Sequence, residues 1–193
     1  KITCKTPGGH SYANFGDPSA IQLLCGLVNE LYQIQPPVRS RTTYNVGRIE
    51  GGTTVNSIAQ QASMLYEFRS DKRENLEYME RQFMEVLDRA KAEGMDVSFQ
   101  VIGVRPCEGQ VDPAQKQALT DWAHRVVEEM TGQAPKHHAG STDCNIPLSL
   151  GIPSVCVGSF RGAGAHTREE YVETDSLEEG YKVACSMIFG RRD

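Results

Sequence analysis

The sequence predicts a chain in two parts: an α+β ferredoxin-like β-α-β-β-α-β sandwich over residues 1–106, then an incomplete α/β segment over 107–193 that completes a larger domain. Three observations predict this. Helix-period and β-rich runs succeed one another as strand, helix, strand, strand, helix, strand up to Pro106, the split β-α-β order. The pattern restarts after Cys107-Glu108-Gly109. The second part then offers two helices but only two short extended candidates, too little sheet to bury a core of its own.

Lys1 to Thr6 alternates weakly and ends at Pro-Gly-Gly, so it reads as the first strand. Asp17 and Pro18 predict an N-cap and first turn for a helix carrying Ile21, Leu24, Cys25, Val28, Leu31 and Tyr32 on one face, stopped by Pro36-Pro37. Arg41 to Glu50 and Ala62 to Ser70 read as neighbouring strands separated by the glycine-rich Gly51-Gly52. Ser70 or Asp71 is the expected cap of a long helix to Gly94, its face built from Leu76, Met79, Phe83, Val86, Leu87 and Ala90. Val97 to Arg105 is the expected last strand of this half.

In the second half, Pro113 to Met130 is a helix with Leu119, Trp122, Ala123, Val126, Val127 and Met130 on one face, ended by Gly132. Lys136 to Ala139 and Ser154 to Gly158 are the extended candidates. Ser176 to Phe189 is the final helix, its expected apolar stripe being Leu177, Tyr181, Ala184, Cys185 and Ile188.

A net charge of -5 and the lack of a basic run argue against nucleic-acid binding. No apolar stretch approaches the roughly 20 residues that span a bilayer. The six cysteines form no Cys-x-x-Cys pair, which points to reduced thiols and a cytoplasmic location. The chain opens Lys-Ile-Thr-Cys-Lys, with neither initiator Met nor secretory leader, and is expected to start within a longer protein.

Five polar patches carry candidate chemistry: Gly-Gly-His-Ser (8–11), Gly-Gly-Thr-Thr-Val-Asn-Ser-Ile (51–58), Phe-Arg-Ser (68–70), Gly-Ser-Thr-Asp (140–143) and Ala-His-Thr-Arg-Glu-Glu-Tyr (165–171). Taken singly, each reads as an ordinary turn, loop histidine or solvated ion pair. Gly140-Ser141-Thr142-Asp143 offers N–H groups, hydroxyls and a carboxylate in four residues, as the cradling of a carbonyl or carboxylate requires. His166 follows Gly162-Ala163-Gly164-Ala165, where the low bulk lets a ligand or metal approach closely.

In this order the patches resemble the dizinc metallopeptidase superfamily of aminoacylase, carboxypeptidase G, acetylornithine deacetylase and succinyl-diaminopimelate desuccinylase, and the resemblance spans the chain. It implies that residues 1–106 are the lid or dimerisation domain and 107–193 the C-terminal part of a metallohydrolase catalytic domain. It implies a catalytic role for His10, reaching across a homodimer to polarise the scissile carbonyl of the partner subunit's substrate. Asn56 and Arg69 would hold the substrate's carboxylate, Gly140 and Ser141 would face the substrate, Asp143 would order its loop, and His166 would be a metal ligand.

The cofactor implied is a pair of zinc ions, with cobalt or manganese as alternatives. The substrate implied is a small peptide or an N-acyl or N-succinyl amino acid. The superfamily's remaining ligands and its Glu-Glu general base precede the lid. No His-x-Asp occurs in this chain, Glu128-Glu129 lies inside a regular helix, and Glu169-Glu170 follows the metal histidine. The chain alone is therefore expected to be inactive. Two other readings stay open: a dimeric, non-catalytic binding module, and a degenerate family member.

Overall fold

The computed structural model describes residues 1–38 and 40–190. The chain divides into two compact units, Lys1–Val104 and Arg105–Asp193. In the first, the elements run β1 (Ile2–Lys5), β2 (Gly9–His10), α1 (Ala20–Leu31), β3 (Thr42–Gly51), β4 (Ser57–Ile58), β5 (Gln61–Ser70), α2 (Arg73–Ala92) and β6 (Asp96–Phe99). Four of these strands form one sheet in the order β3-β5-β1-β6, every pair antiparallel. This is the ferredoxin-like arrangement predicted from the sequence. β2 and β4 form a separate two-residue ladder that the sequence reading did not separate from its loops.

Alternation on the strands sends Ile2 and Cys4 of β1, and Ala62 and Met64 of β5, under the helices. Leu24, Leu27 and Leu31 of α1 and Met79, Phe83, Val86, Leu87 and Ala90 of α2 close the core from above. Tyr66 stacks on Phe83 with ring centroids 5.7 Å apart.

The edges of several elements differ from expectation. α1 starts at Ala20, whose N–H donates to the Ala59 carbonyl at 2.9 Å, so Ser19 and not Asp17 precedes it. Its buried stripe is Ala20, Leu24, Leu27 and Leu31, while Ile21 and Cys25 are exposed. α2 starts at Arg73. Ser70 Oγ instead accepts the Lys72 N–H at 3.1 Å one step earlier. β6 stops at Phe99 rather than Arg105, because its partner β1 begins at Ile2. The ladder closes with the Gln100 N–H on the Lys1 carbonyl at 2.8 Å, and Val101, Ile102 and Val104 are exposed.

The second unit holds α3 (Pro113–Thr131), α4 (Asn145–Ser149), β7 (Gly162–Ala163), β8 (Tyr171–Val172) and α5 (Ser176–Phe189). α3 is capped at both ends. Asp112 accepts the Ala114 and Gln115 N–H groups at 2.8 and 3.1 Å, and Gly132 takes the left-handed conformation, φ 70°, that ends the helix. Neither Lys136–Ala139 nor Ser154–Gly158 is a strand, since among the described residues no neighbour pairs with either and the unit's only ladder is the β7–β8 hairpin. α5 buries Ser176, Gly180 and Val183, whereas Leu177, Tyr181 and Ile188 of the expected stripe are exposed. The small face wins because the Ser159 backbone lies so close to Gly180 that a Cβ there would fall 1.7 Å from its carbonyl oxygen. Among the described residues no helix is long and apolar enough to cross a membrane.

Candidate functional site

In the first unit, His10 and Asn56 are brought together. β2 pairs with β4, setting His10 opposite Ser57, and the Ser11 N–H donates to the Asn56 carbonyl at 3.0 Å. The close approach depends on Gly8, at φ +72°, where a Cβ would strike the Gln60 side chain. The loop after His10 folds back on it. His10 N–H donates to Asn14 Oδ1 at 3.0 Å, and the N–H groups of Tyr12 and Ala13 point at His10 Nδ1 at 3.2 and 3.4 Å.

Those two contacts give His10 a chemical identity. A nitrogen that accepts backbone N–H groups holds the lone pair, so the ring proton of the neutral imidazole sits on Nε2, which is then a donor. Asn56 is oriented in the same sense. Thr54 Oγ1 donates to its Oδ1 at 2.9 Å, leaving its NH2 end without a partner among the described residues. The ladder thus carries two exposed donors, suited to a carbonyl or carboxylate oxygen.

Arg69 is not part of this cluster. It pairs with Thr43 near the end of β5, while the loop bearing Asn56 enters β5 at Gln61. Gln61 and Arg69 are eight residue steps apart along the strand, about 27 Å at the usual rise. One carboxylate held by Asn56 and Arg69 of the same chain does not fit that separation. Arg69 Nη2 donates to Glu67 Oε2 at 2.8 Å on the exposed sheet face, and that hydrogen bond raises the guanidinium pKa further.

In the second unit, Gly140 and Ser141 lie in an exposed segment leading into α4, and the Ser141 hydroxyl has no hydrogen bond among the described residues. The turn after them is ordered by Asn145, whose Oδ1 accepts the Thr142 N–H and whose Nδ2 donates to the Pro106 carbonyl, both at 2.9 Å. Asp143 is engaged by Arg105 at 3.1 Å, an exposed pair of small energetic weight. The sequence reading missed Asn145, although an Asn three residues after a loop Thr is a recognisable turn-closing pattern.

His166 stands at the tip of the β7–β8 hairpin and is the one non-glycine residue with positive φ, 68°, among the described residues. That conformation costs roughly 1–2 kcal/mol. Glu170 Oε2 accepts the His166 N–H at 3.2 Å, while Thr167 closes the turn onto the Gly164 carbonyl through its N–H at 2.9 Å and its hydroxyl at 2.7 Å. At the hairpin base, Arg161 donates to Glu173 at 3.1 Å and also pairs with Glu179, and its N–H donates to the buried Ser176 hydroxyl at 2.8 Å. Arg161 and Ser176 were not legible as site residues, since their partners are 12 or more residues away in sequence.

The residues present do not by themselves fit a metal. Among the described residues no group of three or more His, Cys, Asp or Glu side chains could hold an ion, and one imidazole falls short of the three protein ligands a catalytic zinc takes.

The sequence profile of the peptidase dimerisation domain matches residues 1–95. No curated protein sequence matches the chain. Among solved structures, aminopeptidase PepT from Bacillus cereus superimposes with TM-score 0.61 at 25% identity, over 97% of this chain and 49% of that one. A tripeptidase from Staphylococcus aureus gives TM-score 0.61 at 18% identity over 97% and 49%. An amidase of the hydantoinase/carbamoylase family from Burkholderia vietnamiensis gives 0.65 at 16% over 95% and 44%. The chain spans about half the length of the structures it matches. Residues 1–95 are thus a peptidase dimerisation domain of the M20 kind, and nearly the whole chain shares its fold with PepT.

Proposed function

We propose that this chain supplies the dimerisation domain and the C-terminal part of the catalytic domain of a metal-dependent amidohydrolase or exopeptidase that cleaves an amide beside a free carboxylate. The observation that carries this reading is the fixed tautomer of His10. Its Nδ1 is turned to the Tyr12 and Ala13 N–H groups, so that Nε2–H is a preset donor beside the Asn56 amide. A donor held in place before substrate arrives stabilises the oxyanion of an attacked carbonyl without reorganisation cost.

The separation along β5 adds to this reading. If His10 acts on a substrate held by a second copy of the chain, Asn56 travels with it, and Arg69 of that second copy is left to bind the carboxylate. Each site then draws on two protomers joined through the dimerisation domain. Ser141 and the Gly140 backbone face the same substrate from the catalytic side. His166 contributes one ligand, and the other ligands to zinc, cobalt or manganese, with the general base, come from residues outside this chain.

The test uses the intact protein and this chain side by side. With zinc added, the intact protein should hydrolyse N-acyl amino acids or small peptides and this chain should not. His10→Ala should lower kcat of the intact protein roughly 10²–10³-fold, the usual loss on deleting an oxyanion donor. Hydrolysis by the chain alone, or an unchanged kcat in His10→Ala, overturns the reading.

A further inference from the structure

From Ala134 to Ser141 the chain makes a single hydrogen bond among the described residues, and it joins two imidazoles. His137 Nε2 lies 3.0 Å from His124 Nδ1 on α3, with the rings edge to face and their centroids 5.2 Å apart. Before this stretch, Gln133 is tied to Thr131, and after it the Thr142 N–H is tied to Asn145. In between, only Pro135 is even half-buried. One contact therefore holds a segment that ends in Gly140 and Ser141.

We propose that His124 and His137 form a pH-sensitive latch that positions the segment Lys136–Ser141, with His124 and His137 as positioning residues for Gly140 and Ser141. The bond requires one nitrogen with a proton and one with a lone pair. Glu128, one turn along α3, has Oε2 3.8 Å from His124 Nε2 and favours the proton there. His124 Nδ1 is then the acceptor and His137 Nε2–H the donor. A proton added to His124 Nδ1 removes the acceptor, and with His137 also charged it sets two cations against each other, so the latch opens in acid.

The other charged groups around the pair do not close it again. On α3, Asp121 is held by Gln117 at 2.7 Å, and among the described residues Glu128 is the one charged group paired with either ring. On α5, which packs against α3, Glu178 pairs with Lys182 and Glu179 with Arg161. Lys136, next to His137 in sequence, carries a positive charge that acts in the opening direction.

The latch stands on this geometry, and only its bearing on substrate rests on the functional reading above. Backbone 15N order parameters of the chain at pH 7.5 and pH 5 test it. Residues 136–141 should move from about 0.85, typical of rigid backbone, to below about 0.6 on acidification, with α3 unchanged. His124→Ala should show the low values at both pH values. His137→Gln, which keeps a neutral donor, should stay ordered at pH 7.5 and lose part of its response. Equal order at both pH values, or a full pH response surviving in His124→Ala, overturns the latch. If the segment behaves as expected but hydrolysis by the intact protein ignores both variants, the latch holds and the substrate role of Gly140 and Ser141 fails instead.

Discussion

Residues 1–104 and 105–193 differ less in length than in how they treat their apolar side chains. The first unit gathers Ile2, Leu24, Leu27, Leu31, Met64, Met79 and Leu87 into a closed core between one sheet face and two helices. The second, among its described hydrophobic residues, buries only Leu119, Ala123, Val126 and Val183, and leaves Leu150, Tyr181, Ile188 and Phe189 more than two-thirds exposed. Both have helices of ordinary amphipathic pattern. What separates them is sheet: four paired strands can receive two helices, and a two-residue hairpin cannot. An apolar helix face without a receiving sheet is what a piece of a larger layered domain displays.

Cutting the chain between the units breaks this comparison most directly. Residues 1–104 should unfold in one cooperative transition in urea, and residues 105–193 should bind a hydrophobic dye and melt without a sharp transition. A cooperative, dye-free 105–193 would show that its four buried hydrophobic side chains suffice, and the contrast would collapse.

Next in size come substitutions in each core. Gly180→Ala places a Cβ against the Ser159 carbonyl, which is backbone and cannot swing aside, and should cost at least about 3 kcal/mol. Leu87→Ala in the first unit should cost about 2–5 kcal/mol through the cavity it leaves. Tyr181→Ser, on the apolar face of α5 that is 71% exposed at that position, should change stability by less than about 0.5 kcal/mol and improve solubility. Urea midpoints read all three, and a costly Tyr181→Ser would mean that this face is already covered.

These contrasts also mark where the sequence was readable. Periodicity located α2 and α3 nearly to the residue, because Met79, Phe83 and Leu87, like Leu119, Ala123 and Val126, follow the helical repeat that burial requires. It misjudged α5, since the apolar stripe Leu177-Tyr181-Ile188 fits the helical repeat as well as the buried one, and only the approach of Ser159 to Gly180 decides between them. Of the candidate site residues, His10 and Asn56 were legible individually, but their pairing depends on a ladder too short to leave a pattern. That Arg69 lies apart from them follows from strand length alone, and the extended run from Ala62 to Ser70 already contained that information.

Alkaline pH should sharpen the contrast by a smaller amount. Cys4 is buried in the first core, and burial raises its thiol from 9.0 to about 11, with the Asp96 charge acting in the same direction. The folded state thus favours the neutral thiol. Its contribution is complete below about pH 9 and is lost as pH rises toward 11. The urea midpoint of the first unit should fall across that window, and Cys4→Ala should flatten the fall. The exposed Cys25 and Cys156 should react with iodoacetamide at pH 8.5 much faster than Cys4. Equal rates would mean that the core opens readily.

Little effect on stability is expected at Arg69, on the solvated face of the same sheet. Its ion pair with Glu67 is exposed on both sides, so Glu67→Gln should shift the urea midpoint by an amount equivalent to less than about 1 kcal/mol. The functional effect should have the opposite sign. Glu67 occupies the guanidinium that the proposed substrate carboxylate needs, so releasing it should lower KM for an N-acyl amino acid in the intact protein while leaving kcat unchanged. Arg69→Lys should raise KM, because an ammonium cannot reproduce the two parallel hydrogen bonds of the guanidinium fork. If Glu67→Gln leaves KM where it was and Arg69→Lys does the same, Arg69 is a surface ion-pair residue, and the carboxylate is bound elsewhere.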